Sequence, residues 1–148
     1  MNQELKDQLN GKRIGAIDYG PRRTGFSVCD ELHISITPKK VFNPKDDNFF
    51  NELTRILSEL NVGALVVGVP YRLDEKKTDV IEEIELFIAK IKELIDIPVF
   101  IQDEAYSSIR AMETMIHIGK KKKDRRKKET KDLVASAIIL RDFLNEME

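Results

Sequence analysis

The first apolar run, Arg13-Ile-Gly-Ala-Ile-Asp18, is too short for a helix and reads as a buried strand. Tyr19-Gly-Pro-Arg-Arg-Thr-Gly25 follows, and its glycines and proline predict a turn. Residues 26–29 and 32–36 alternate well enough to be two more strands. Three strands on short links form an antiparallel meander. From residue 46 to residue 60 the period changes. Phe49, Phe50, Leu53, Ile56, Leu57 and Leu60 recur at helical spacing, with Asp46 or Asp47 as N-cap and Asn61-Val-Gly63 as the stop. Residues 64–69 are continuously apolar, which predicts a parallel strand covered on both faces.

A polar loop over 70–77 leads to the clearest helix, 78–95, whose stripe is Ile81, Ile84, Ile88, Ile91 and Ile95. A short strand is expected over 98–101. A helix over 107–118 would be capped by Ser107 or Ser108 and ended by Gly119. The last helix runs over 130–147, with Leu133, Ala137, Leu140 and Leu144 on one face. Residues 1–11 are polar and read as a loose tail. The element order β-β-β-α-β-α-β-α-α predicts an α/β fold: a mixed sheet of three antiparallel strands and then two parallel ones, flanked by helices.

Length, 148 residues, predicts one domain over 1–148. Hydrophobic residues at 41% and charged ones at 34% describe a soluble chain with no membrane span and no signal peptide, so a cytoplasmic protein is expected. The single cysteine, Cys29, rules out an internal disulfide and packs as a small hydrophobe. Charge is distributed unevenly. Residues 120–128 hold eight Lys/Arg and one Asp, a local +7, while the whole chain is −1, so the remainder carries −8. A dense basic patch on a neutral chain suits local capture of an anion.

Three acids sit at the edges of apolar segments: Asp18, Glu104 and Asp132. Ligands in open α/β sheets gather at the carboxyl ends of strands, where Asp18 and Glu104 are expected. Each acid alone also suits a local role. Asp18 could cap its turn, Asp103-Glu104 could favour a helix N-terminus, and Asp132 could cap or open the last helix. Together they would line an oxygen-rich pocket suited to Mg²⁺ or Mn²⁺. Lys120, Lys121, Lys122, Lys123, Arg125, Arg126, Lys127 and Lys128, with Arg22 and Arg23 in the first turn, are the candidate phosphate contacts of a nucleic-acid partner. Tyr106 could stack on a base, although an aromatic there more often packs. His33 and His117 lack metal-ligand spacing, and no P-loop or Gly-x-Gly-x-x-Gly pattern exists.

Ile17-Asp-Tyr-Gly-Pro-Arg-Arg-Thr-Gly25 resembles the Asp-Tyr-Gly-x-x-x-x-Gly opening of the YqgF/RuvX proteins, named both for pre-16S rRNA processing and for Holliday junction resolution. Val66-Val-Gly-Val-Pro70, Asp103-Glu104, and Asp132 with Ala135-Ser-Ala-Ile-Ile-Leu140 are similar to later motifs of that family, in order and across nearly the whole chain. The resemblance implies an RNase H-like fold and an Asp18/Glu104/Asp132 site. It also implies a pair of divalent ions flanking the scissile phosphate, and products with 5′-phosphate and 3′-hydroxyl ends. The implied partner is structured RNA, or branched DNA cut by a symmetric dimer, so monomer and homodimer both stay open. The chain departs from the family pattern at Pro21 (usually Thr), Ala105 (usually Arg), Ser107-Ser108 (near a usual Thr pair) and Tyr71-Arg72 (usually Leu-Asn). These departures touch substrate contacts rather than the acids, and they leave open a nucleic-acid-binding module with impaired catalysis.

Overall fold

The structure is a computed structural model that describes residues 3–71, 79–103 and 125–147, with 125–129 described by backbone alone. Five strands form one sheet: β1 (Arg13–Asp18), β2 (Thr24–Cys29), β3 (Ile36–Phe42), β4 (Val62–Val69) and β5 (Val99–Asp103). Their order is β3-β2-β1-β4-β5. The β1–β2 and β2–β3 pairs are antiparallel, and the β1–β4 and β4–β5 pairs are parallel. This is the mixed sheet the hydrophobic pattern predicts. The described helices are α1 (Gln3–Leu9), α2 (Phe49–Glu59), α3 (Asp79–Leu94) and α4 (Arg125–Met147).

Strand alternation sorts the core into two layers. Ile17, Phe26, Val28, Leu65, Val67 and Val69 face α2 and α3, where they meet Leu53, Leu57, Ile81, Ile84 and Ile91. Ile14, Ala16, Cys29, Ala64 and Val66 face the other way and meet Leu9 and the α4 residues Ile139, Leu140, Phe143, Leu144 and Met147. Ile81, Ile84, Ile88 and Ile91 of the expected stripe are buried on α3 together with Phe87, while Ile95 lies just past the helix and is half-buried. On α4 the buried face is rotated from the expected one: Leu140 and Leu144 are buried, whereas Leu133 and Ala137 are only half-buried.

Several boundaries differ from expectation for local reasons. The first residues are not all loose, because α1 carries Leu9 into the core beneath α4. The third strand is 36–42, not 32–36. Asp30 closes a tight turn there, its carboxylate accepting from the amides of Ile34 (2.8 Å) and Ser35 (3.2 Å) and from the Ser35 hydroxyl (2.9 Å). His33 takes φ 60° within that turn, and its Nε2 lies 2.7 Å from the Lys12 carbonyl. Alternation of Leu32 and Ile34 imitated a strand, yet both are exposed. Pro38 is tolerated in β3 because an edge strand has unpaired positions.

Neither Asp46 nor Asp47 caps α2. Turns through 44–48 intervene, and Asn48 takes the cap position without a side-chain bond. The predicted stop is observed at Asn61, in the left-handed region at φ 53°. α4 begins at Arg125 rather than 130, since lysine and arginine are good helix formers and nothing in 125–132 breaks the turn. The expected helix over 107–118, with His117, lies outside the described residues, as does most of the 70–77 loop. Among the described residues no helix is long and apolar enough to cross a membrane.

The Asp30 bonds hold its carboxyl below the ordinary carboxylate range, the Ile34 amide contributing most. A depressed carboxyl stabilises the fold above its unfolded pKa and loses that contribution as pH falls through its folded value. The melting-temperature gap between wild type and Asp30→Ala should therefore be full at neutral pH. It should shrink as pH drops from about 5 toward about 2. Melting curves across that range check it; a gap independent of pH would count against the turn as described.

Candidate active site

β1, β4 and β5 run parallel, so their carboxyl ends emerge on one side of the sheet. Asp18 ends β1 and Asp103 ends β5. Ile17 pairs with Val67, and Asp103 pairs with Val69, so the two acids leave the sheet within about a residue of the same level. With β4 between them, two strand spacings, about 10 Å, separate these ends. Glu104 is the next residue after β5 and lies outside the described residues, together with Ala105, Tyr106, Ser107, Ser108 and Lys120–Lys123. The side chains of Arg125, Arg126, Lys127 and Lys128 are likewise outside them, although their backbone starts α4.

Asp132 is not at a helix start as expected. It lies inside α4, and what places it is β2. Gly25 is the cross-strand partner of Asp18. A Cβ on Gly25 would collide with the backbone carbonyl of Asp132, so only glycine lets the helix settle at this depth. One step along the same face, the Ser27 and Ser136 hydroxyls meet at 2.6 Å, and Ser136 Oγ donates to the Leu133 carbonyl at 2.8 Å. These small buried groups let α4 ride close over β2. Asp18, Gly25 and Asp132 therefore occupy one face at one end of the sheet, although more than a hundred residues separate the two acids in sequence.

The turn between β1 and β2 completes the arrangement. Arg23 Nε donates to Asp132 Oδ2 at 2.8 Å, with the arginine side chain 37% exposed and the aspartate 16%. A pair this open contributes about 1 kcal/mol at most. Arg23, a candidate phosphate contact, is paired with this carboxylate, and Arg22 is exposed. Thr24 Oγ1 donates to the Gly20 carbonyl at 3.2 Å, closing the turn. Tyr19 turns to the opposite sheet face and stacks on Phe87, ring centroids 4.7 Å apart. Burial, and then the charge of Glu83, push its phenol pKa up.

Among the described residues no group of three or more His, Cys, Asp and Glu forms a metal cage. Cys29 is buried, accepts the Ile14 amide at 3.4 Å, and has its thiol pKa pushed up mainly by burial, as a packing residue should. A cleft of about 490 Å³ between β3 and α4, lined by Ile36, Pro38, Val134 and Ile138 among others, presents no carboxylate. The pairing of Arg23 with Asp132 and the seat at Gly25 were not anticipated. The signal for the seat was present as Gly25-x-Ser27 facing the small run Ala135-Ser-Ala137.

The family model described as "RuvX: Holliday junction resolvase" matches residues 12–146. The chain belongs to the RuvX family. A relative from Amoebophilus asiaticus, named "Putative pre-16S rRNA nuclease", is 40% identical over 134 residues, covering 90% of this chain and 94% of the relative. Relatives of the same name from Mycoplasma mobile (33%, 90% and 92% covered) and Bacteroides fragilis (32%, 89% and 95%) are similar over the same span. Among solved structures, the T. thermophilus RuvC in complex with a Holliday junction substrate superposes with a TM-score of 0.52. It is 13% identical, and the match covers 92% of this chain and 96% of that one. The likeness identifies the fold as RNase H-like.

Replacing Gly25 with alanine should lift α4 off β2. Overpacking of this kind typically costs about 1–3 kcal/mol, and backbone contact puts Gly25→Ala at the upper end. Chemical denaturation should read that loss, and the Arg23–Asp132 contact should loosen. An alanine variant as stable as wild type would mean that the helix does not seat there.

Proposed function

We propose that this protein is a divalent-metal-dependent nuclease that hydrolyses phosphodiester bonds in structured RNA, acting in 5′-end maturation of pre-16S rRNA. The observation that carries this reading is the stack of Asp18, Gly25 and Asp132, which gathers acids from remote parts of the chain at the carboxyl end of the sheet. Family membership and the names of the relatives support the substrate class.

The donor set fits hard cations. Carboxylate oxygens of Asp18 and Asp132, joined by Glu104, suit Mg²⁺ or Mn²⁺, two ions in the RNase H-like pattern, and lack the sulfur or imidazole that would favour zinc or copper. Such ions, when bound, supply an activated water and shield the phosphate charge. The chain's own residues do the rest. Asp18 is fixed by the β1–β2 pairing, and Asp132 by the helix seat. Arg23, already beside Asp132, is within reach to exchange that carboxylate for a phosphate oxygen as the nucleic acid arrives. The Lys120–Lys123 segment and the start of α4, with Arg22, then hold the flanking backbone.

A second reading, cleavage of branched DNA, follows from the family model's description. It requires two opposed sites and hence a symmetric dimer. Ala105, in place of the family's usual arginine, favours a third outcome, binding without turnover.

Purified protein and its Asp132→Asn variant, given Mg²⁺ or Mn²⁺, should be offered pre-16S rRNA fragments, unstructured RNA and four-way DNA junctions. Wild type should cut the rRNA fragments. The variant should lose more than about 100-fold in rate while its melting temperature falls by no more than about 4 °C, since even residues behind a metal ligand are worth 10–100-fold and the lost ion pair about 1 kcal/mol at most. Wild-type cutting of junctions alone would promote the resolvase reading. Equal rates for both proteins would sink the site assignment.

Removing Arg23 separates its two roles. Arg23→Gln should bind Mn²⁺ roughly 3- to 10-fold more tightly, because a competing cation has left Asp132, while its KM for nucleic acid rises. Titration of free Mn²⁺ by electron paramagnetic resonance reads the first effect without any turnover. Weaker Mn²⁺ binding in that variant would show that Arg23 supports the metal site rather than competing with it.

A further inference from the structure

Behind Asp18, on the other face of the sheet, lies a small pocket that the hydrolytic site does not use. Its floor is aromatic. Phe87 and Phe49 are buried, Tyr19 stacks on Phe87 at 4.7 Å, and Phe50 lies over Phe87 with centroids 6.0 Å apart at 24°. Phe49 and Phe50 meet edge to face at 4.9 Å. Pro44 and the exposed Leu86 close two sides, and Glu83 and Lys90 stand at the rim. The space is about 310 Å³, at the small end for ligand pockets.

Position gives the pocket its meaning. Tyr19 follows Asp18 directly, and Pro44 follows β3, whose Phe42 pairs with Thr24 at the start of β2. Asp18 pairs with Gly25, so Tyr19 and Pro44 in the pocket lining and the acid belong to one end of the sheet. Alternation sends Asp18 toward α4 and Tyr19 toward α2 and α3. A nucleic-acid strand crossing that end would lay a phosphate on the Asp18 side and direct a neighbouring base to the Tyr19 side. The half-buried rings of Tyr19 and Phe50 suit contact with a flat π-system, and Lys90 and Glu83 offer a donor and an acceptor to its polar edge.

We propose that the pocket formed by Tyr19, Phe50, Phe87 and Leu86 holds one unpaired nucleobase next to the scissile phosphate. The substrate would then be bound single-stranded or splayed at that point, and cleavage would carry a positional requirement that the acids alone cannot impose. The inference rests on the nuclease reading only for the identity of the neighbouring phosphate.

The test reads binding in metal-free buffer, so it does not depend on turnover. Short single-stranded RNAs, each with one abasic nucleotide at a different position, are titrated against wild type, Phe50→Ala and the rim variant Leu86→Asp. One abasic position should weaken wild-type binding by roughly 5- to 100-fold, the range expected when a stacked base is lost. The same position should cost nothing further in either variant, because the coupling is gone. Leu86 is 70% exposed, so its replacement leaves the core intact if Phe50→Ala does not. Wild-type binding indifferent to every abasic position, or an abasic penalty that persists in Leu86→Asp, would overturn the proposal. If rRNA fragments are cleaved while binding shows no such position, the pocket inference alone fails. If RNA binds with that position but nothing is cleaved, the hydrolytic reading alone fails.

Discussion

The close approach of α4 to β2 at Gly25 is the constraint on which the candidate site depends. A helix normally rides on a sheet through side chains, but here a backbone carbonyl sits where a side chain would start. That approach fixes the depth and axial position of Asp132. The same glycine pairs with Asp18, so one residue sets the relation between two acids that share no local sequence. The Ser27–Ser136 contact continues the approach and satisfies both buried hydroxyls, which would otherwise destabilise so tight an interface.

The two faces of the sheet have different characters at this end. Toward α4 the groups are charged and small: Asp18, Arg23, Asp132 and the serines. Toward α2 and α3 they are aromatic: Tyr19, Phe49, Phe50 and Phe87. The division follows from the two-residue repeat of a strand, which sends adjacent residues 18 and 19 to opposite sides. The β1–β2 turn spans the boundary and contributes Tyr19 to one side and Arg23 to the other.

The sheet was legible in the sequence because its central strands are buried on both faces and therefore read as unbroken apolar runs. β1 and β4 are of this kind, and α3 carries an unambiguous stripe. Edges were harder. Leu32 and Ile34 alternate like strand residues, yet turn chemistry at Asp30 governs them, and β3 starts only at Ile36. The start of α4 was hidden because a dense cationic run looks like a solvated loop, although its residues have high helix propensity. Asp18 could be placed from its strand end alone. The location of Asp132 could not, since it depends on a tertiary contact with a glycine far away in sequence, and no periodicity reports such a contact. The pairing of Arg23 with Asp132 was hidden for the same reason.

Because α4 is continuous from Arg125 through Asp132, cationic residues and a candidate ligand share one rigid rod. At 1.5 Å of rise per residue, their backbone positions differ by about 10 Å along the helix axis. That is about three base-pair steps of a B-form duplex, in which each strand carries one charge per roughly 3.4 Å of axis. On the proposed reading the helix would act as a ruler, setting the distance between a phosphate-binding first turn and the acidic centre. Each residue added between them would change that distance by about 1.5 Å and turn the first residues by about 100° around the axis, so spacing and facing are set together.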